Sequence, residues 1–160
     1  MKRKLFIIIC SWLMVLCTML MIFNFSEEDS TESSKTSSHI IEDVLGVFMP
    51  EEEITEEVID KYQFSFRKTA HFGIFMLLGF CLANAFKNTI SLKLVFTYLI
   101  SFASVALYAT FDEIHQGLSD GRAPSFIDAL IDASGGLAGI GLFALMIFVF
   151  NTKLLKKIRH

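Results

Sequence analysis

Four long apolar runs dominate this chain, and charge is confined almost entirely to the segments between them. Leu5–Phe25 carries no charge, and neither do Thr69–Phe86 (apart from His71) and Leu94–Phe111. Phe126–Phe150 is apolar except for Asp128 and Asp132. A run of about 18 or more apolar residues reads as a transmembrane helix. The chain is 53% hydrophobic with 17 Phe and 2 Pro, against roughly 45–50% apolar residues in soluble domains. The pattern predicts an all-α, polytopic integral membrane protein with four transmembrane helices, at about 5–25, 69–86, 94–111 and 126–150. One membrane domain, 1–160, fills the length.

The first run is longer than the apolar core of a signal peptide, about 7–15 residues, and no A-x-A-like site follows it. It is therefore expected to remain as the first span. Positive charge sits at Lys2, Arg3 and Lys4, at Lys87 and Lys93, and at Lys153, Lys156, Lys157 and Arg159, with no Asp or Glu in those segments. The positive-inside rule then places both termini in the cytoplasm of a plasma-membrane protein. The loops 26–66 and 112–125 fall on the outer face. The net charge of -3 says little, because the two signs are segregated. Cys10, Cys17 and Cys81 lie inside apolar runs without metal or disulfide spacing and read as packing residues. No basic patch interleaved with aromatics supports nucleic-acid binding.

The outer loop is acidic. SEEDSTESSKTSS, from Ser26, is Ser-rich and reads as a flexible linker. Ile40, Ile41, Val44, Leu45 and Phe48 recur at helical spacing, and so do Ile54, Val58, Ile59 and Tyr62 after Pro50. Two short amphipathic helices are expected there. The acidic run lacks EF-hand spacing, and a solvated face is preferred to a calcium site. Small residues, above all Gly135 and Gly139, with Gly141, Gly73 and Gly79, read as helix-packing surfaces.

The polar residues gather where the topology brings three segments to one side. Arg67, Lys68 and His71 open the second span; Asp112, Glu113, His115 and Gln116 close the third; Arg122, Asp128 and Asp132 lead into the fourth. Arg67 and His71 share a helix face, as do Asp128 and Asp132. Asp112, His115 and Gln116 share one if the third helix continues past Phe111. Asp132 lies about 10 Å along its helix from Ser125. A carboxylate at that depth is either protonated or partnered by a cation. Three readings remain open. In the structural one, Arg67 and Arg122 pair with Asp112, Asp128 or Asp132 and fix the bundle. In the second, Arg67, Lys68 and Arg122 hold a phosphate or carboxylate at the lipid–water boundary. In the third, His71 or His115 acts as acid/base beside Asp112 or Glu113. Asp112, His115, Asp128 and Asp132 have oxygen and nitrogen ligands to offer a divalent ion, but their spacing is no metal signature, and neither a metal nor another cofactor is expected.

At these residues the chain resembles the VanZ-like family of small bacterial membrane proteins, named for a teicoplanin-resistance protein. The matching pieces are Arg67-Lys68-Thr69-Ala70-His71-Phe72, Asp112-Glu113-Ile114-His115-Gln116, Gly121-Arg122, and Asp128 through Asp132 to Gly135 and Gly139. Asp132 stands where the family pattern usually has Asn. The resemblance implies a cell-envelope protein, with a link to glycopeptide resistance as one expectation; it implies no agreed reaction. The expected function is binding of an anionic amphiphile at the outer leaflet: a lipid head group, a polyprenyl-phosphate precursor or a lipoglycopeptide. The expected binding residues are Arg67, Lys68, His71, Asp112, Glu113, Gln116, Arg122, Asp128 and Asp132. The alternatives are a membrane-embedded enzyme acting on a lipid-linked substrate, with His71, Asp112, Glu113 and His115 as candidates, and a structural partner of another membrane protein.

Overall fold

The computed structural model describes residues 2–27, 38, 40–47, 50, 55–117 and 125–158. The described chain is helical, with no strand among the described residues. Its long helices are α1 (Lys2–Glu27), α2 (Glu56–Thr89), α3 (Leu94–Gln116) and α4 (Phe126–Ile158). Each contains a segment long and apolar enough to cross a membrane: Lys2–Ser26, Ser65–Thr89, Leu94–Gln116 and Phe126–Asn151. In lipid, a helix satisfies its backbone N–H and C=O groups within one segment. Side-chain hydroxyls inside the spans follow the same logic. Ser11 donates to Ile7 O, Thr18 to Met14 O and Ser101 to Thr97 O, at 2.7–2.8 Å.

The four helices form one bundle in which α2 packs most extensively on α4. Phe75, Leu78, Cys81 and Leu82 of α2 meet Val15 and Ile22 of α1 and Val105 and Ala109 of α3 in the main core. A second cluster joins Ala83 to Ile140 and Phe143 near the other end. The outward faces are apolar as well: Phe6, Leu107, Phe126 and Phe148 are each more than 60% exposed. An exposed apolar surface of this extent suits lipid as the surrounding solvent.

The α2–α4 seam depends on glycine. A Cβ at Gly139 would overlap the carbonyl oxygen of Met76, and one at Gly135 that of Phe72. Gly79 faces Gly136 just as closely. The Gly135-x-x-x-Gly139 expectation holds, because only hydrogen fits between the two backbones. Gly73 and Gly141, also read as packing positions, face open space instead.

Two further differences concern boundaries. The segment around Val58, Ile59 and Tyr62 is helical but not a separate short helix: it forms the first turns of α2. Thr55 caps it, its hydroxyl accepting from Val58 N at 3.4 Å. Neither Gly nor Pro interrupts Glu56–Phe72, so nothing stops the helix before the span. Residues 40–45 are helical, with Ile41 buried; Phe48 and Ile54 lie outside the described residues. At the third span the helix does continue past Phe111, to Gln116, where the Gly117 N–H closes on Glu113 O at 3.0 Å.

Candidate functional site

The up-and-down course of the helices brings the C-terminal ends of α1 and α3 beside the N-terminal halves of α2 and α4. Buried polar side chains concentrate at that end: Ser26, Asp112, Glu113, Gln116 and Asp132 are each less than 9% exposed. Asp112 is their hub. Its Oδ1 accepts from Ser26 Oγ at 2.6 Å, and its Oδ2 from Gln116 Nε2 at 2.8 Å. Gln116 Nε2 also reaches Ser26 Oγ at 3.3 Å. Asp112 and Gln116 lie one turn apart on α3, which sets both on one face. His115, expected on that face too, packs against Phe23, with ring centroids 4.5 Å apart, and against Phe111 at 6.3 Å. Its Nδ1 is buried without a hydrogen-bond partner among the described residues.

Across from this hub, α2 supplies Lys68 and His71. Lys68 Nζ pairs with Asp128 in the first turn of α4. His71 Nδ1 stands 3.5 Å from Asp132 Oδ1, one turn deeper. Asp132 Oδ2 is buried without a partner among the described residues. Possible ligand atoms of His71, Asp112 and Asp132 lie within 4.8 Å of one another. This trio differs from the set weighed on sequence, since His115 and Asp128 stand outside it and His71 within. Glu113 does something else: its Oε2 accepts the Ser125 N–H at 2.9 Å, tying the end of α3 to the start of α4. Ser125 Oγ then caps Asp128 N at 3.3 Å.

The ion pairs differ from the structural reading of the sequence. Arg67 makes no salt bridge to Asp112, Asp128 or Asp132; Lys68 and His71 take Asp128 and Asp132. Arg67 sits four residues before His71, partly buried, with no carboxylate partner among the described residues. Arg122 lies outside the described residues.

Sequence reasoning missed Ser26, which it assigned to the linker. The residue is fully buried in the last turn of α1. A serine directly before Glu27-Glu28-Asp29 looks like the first polar loop residue, and only its hydrogen bond to Asp112 marks it as part of the site. Tyr108 was also missed; its hydroxyl donates to Met19 O at 2.7 Å and links α3 to α1 below the hub.

The opposite end is basic. Arg3 and Lys4 of α1 and Lys87 of α2 line a cavity of about 460 Å³ with Ile7, Asn88, Ile90 and Ser91. Just inside it, Ser11 accepts from Asn84 at 3.0 Å and from Asn88 at 3.3 Å.

Among known protein families, the VanZ/LLP1 family matches residues 11–149. No curated protein and no solved structure matches the chain.

Proposed function

The chain belongs to the VanZ/LLP1 family and is a membrane protein, and from that premise we propose that it binds the anionic head group of an amphiphile at the polar end of its bundle. The observation that carries this reading is Arg67. It is a guanidinium beside a buried polar cluster, left without a carboxylate partner among the described residues while Lys68 and His71 are taken. A guanidinium so placed suits the oxygens of a phosphate or carboxylate, which it grips bidentately. The apolar flanks of α3 and α4, with Leu107 and Phe126 exposed, suit the acyl or polyprenyl part of such a ligand. Arg122 belongs to this proposal from the sequence alone. So do the plasma-membrane location, cytoplasmic termini and an outer-leaflet site, on the distribution of Lys and Arg.

The family name supports a lipoglycopeptide such as teicoplanin as one candidate ligand; lipid head groups and polyprenyl phosphates share the chemistry. The test is native mass spectrometry of detergent-purified protein, followed by titration with a polyprenyl phosphate, a phosphatidylglycerol and teicoplanin. Wild type retains or binds at least one. Arg67→Ala loses it, and Arg67→Lys weakens it, because the charge remains but the fork does not. Equal binding by wild type and both variants overturns the reading in favour of a structural partner of another membrane protein.

A further inference from the structure

His71 of α2, Asp112 of α3 and Asp132 of α4 come from three different helices, yet possible ligand atoms on all three lie within 4.8 Å of one another. Two of the three are almost completely buried: Asp112 is 2% exposed and Asp132 1%. We propose that these residues hold a divalent first-row transition-metal ion of the zinc or manganese class inside the bundle.

Four observations converge on this. The first is the orphaned Asp132 Oδ2, which is buried with no hydrogen-bond partner among the described residues. Leaving a buried carboxylate oxygen unpaired is costly, and an ion would satisfy it. The second is the support given to Asp112. Ser26 Oγ and Gln116 Nε2 each donate to one of its oxygens. Each oxygen keeps a second lone pair for a metal, and metal-ligating carboxylates are ordinarily oriented in this way by outer hydrogen bonds.

The third is charge. Two carboxylates face one imidazole in the trio, because Lys68 is engaged by Asp128 and Arg67 makes no bond to Asp112 or Asp132. A divalent cation makes the ionised set neutral, which a low-dielectric interior favours over an uncompensated pair of anions. The fourth is ligand type. One imidazole nitrogen with two carboxylates suits zinc or manganese, whereas calcium and magnesium prefer oxygen alone. Ligand atoms around such an ion sit about 3–3.6 Å apart, for bonds of about 2.0–2.2 Å. The trio, within 4.8 Å, would close toward that spacing on an ion. Three protein ligands leave a coordination position for water or for an oxygen of a bound anion.

The test uses full-length protein carrying no polyhistidine tag, purified in detergent and stripped with chelator. Zn2+ and Mn2+, with Mg2+ and Ca2+ for comparison, are titrated in separately by calorimetry, and the retained metal is measured by mass spectrometry. Saturable binding of one ion per chain is expected. Asp132→Asn, nearly the same shape, and His71→Ala lose that binding. Gln116→Ala, which removes only an orienting hydrogen bond, weakens it by about 10–100-fold. Asn84→Ala, at the other end of the bundle, leaves it unchanged. Size-exclusion profile and thermal unfolding establish that each variant is folded, and if His71→Ala is not, Asp132→Asn decides. Folded wild type that takes up neither ion overturns the inference, as does equal uptake by Asp132→Asn. Tighter binding of Mg2+ or Ca2+ than of either overturns the class assigned. The readout involves no amphiphile, so its failure and that of the head-group reading are separate results.

Discussion

Ser26 Oγ stands 2.6 Å from Asp112 Oδ1, a buried hydrogen bond between residues 86 positions apart in the chain. It joins the last turn of α1 to α3 at the depth where Asp132 approaches from α4. Replacing Ser26 by Ala removes the donor and leaves a buried carboxylate oxygen short of one partner. We expect a loss of about 1–3 kcal/mol of stability. Thermal unfolding in detergent measures it, with Ser26→Thr retaining most of the wild-type value. An unchanged melting temperature for Ser26→Ala contradicts the arrangement.

Lys68→Ala should behave differently. Its partner Asp128 is 37% exposed and Lys68 itself 28%, so the pair is partly solvated. Pairs of this kind contribute about 0–1 kcal/mol. The same unfolding assay should therefore show a smaller shift for Lys68→Ala than for Ser26→Ala, and one reduced further by added salt.

The glycine seam gives a paired prediction. Gly139→Ala forces a methyl group against the Met76 carbonyl, so α2 and α4 must separate and lose packing. Gly141→Ala meets nothing within 4 Å and replaces a poor helix former by the best one. Gly139→Ala should lower stability by about 1–3 kcal/mol as an overpacking change. Gly141→Ala should be neutral or slightly stabilising. Equal effects would remove the basis for a close helix crossing.

Orientation is testable by labelling in a background with Cys10, Cys17 and Cys81 replaced. A cysteine at Val47, 76% exposed, should react with an impermeant maleimide in intact cells. A cysteine at Ser91, in the link between α2 and α3, should react only after lysis. The reverse pattern moves the polar end of the bundle to the cytoplasmic side.

The fold was legible because hydropathy alone defines spans, and α1 to α4 fall on the four apolar runs. Their starts were less so. Thr69 looks like a boundary because Arg67 and Lys68 are charged, yet a helix has no reason to stop at a charge, and α2 begins at Glu56. The site was legible at one level and not at another. Asp112, Gln116, Asp128 and Asp132 were marked by polarity in apolar surroundings, and spacing gave their faces. Partner choice was not legible. In the structural reading of the sequence Arg67 takes a carboxylate, but Lys68, one residue on, pairs with Asp128, and a difference of one residue is about 100° around a helix. Ser26 and Tyr108 were invisible for other reasons: Ser26 adjoins the acidic loop residues and looks like the first of them, and no sequence pattern tells which neighbouring helix a Tyr hydroxyl reaches.

The family resemblance adds one more expectation. Asp132 occupies a position where the VanZ-like pattern usually carries Asn, and Asp132→Asn keeps shape while removing a possible buried charge. The variant should fold with wild-type or higher thermal stability in metal-free buffer, because a neutral amide is less costly to bury. A large destabilisation there would mean that the His71–Asp132 pair is a main support of the bundle.

The glycine contacts between α2 and α4 also decide where the bundle can yield. Backbones held that close slide or part only with a general loss of packing, so the two helices behave mechanically as one stave. The meeting of α1 and α3 is slighter, pinned near the site by Ser26 on Asp112 and by Tyr108 on the Met19 carbonyl. A few side-chain hydrogen bonds there resist far less than a seam of backbone contact. For a lipid chain arriving sideways from the bilayer, the line of least resistance runs between α1 and α3, and one of the pins that release it is a bond to the same Asp112 that orders the polar end.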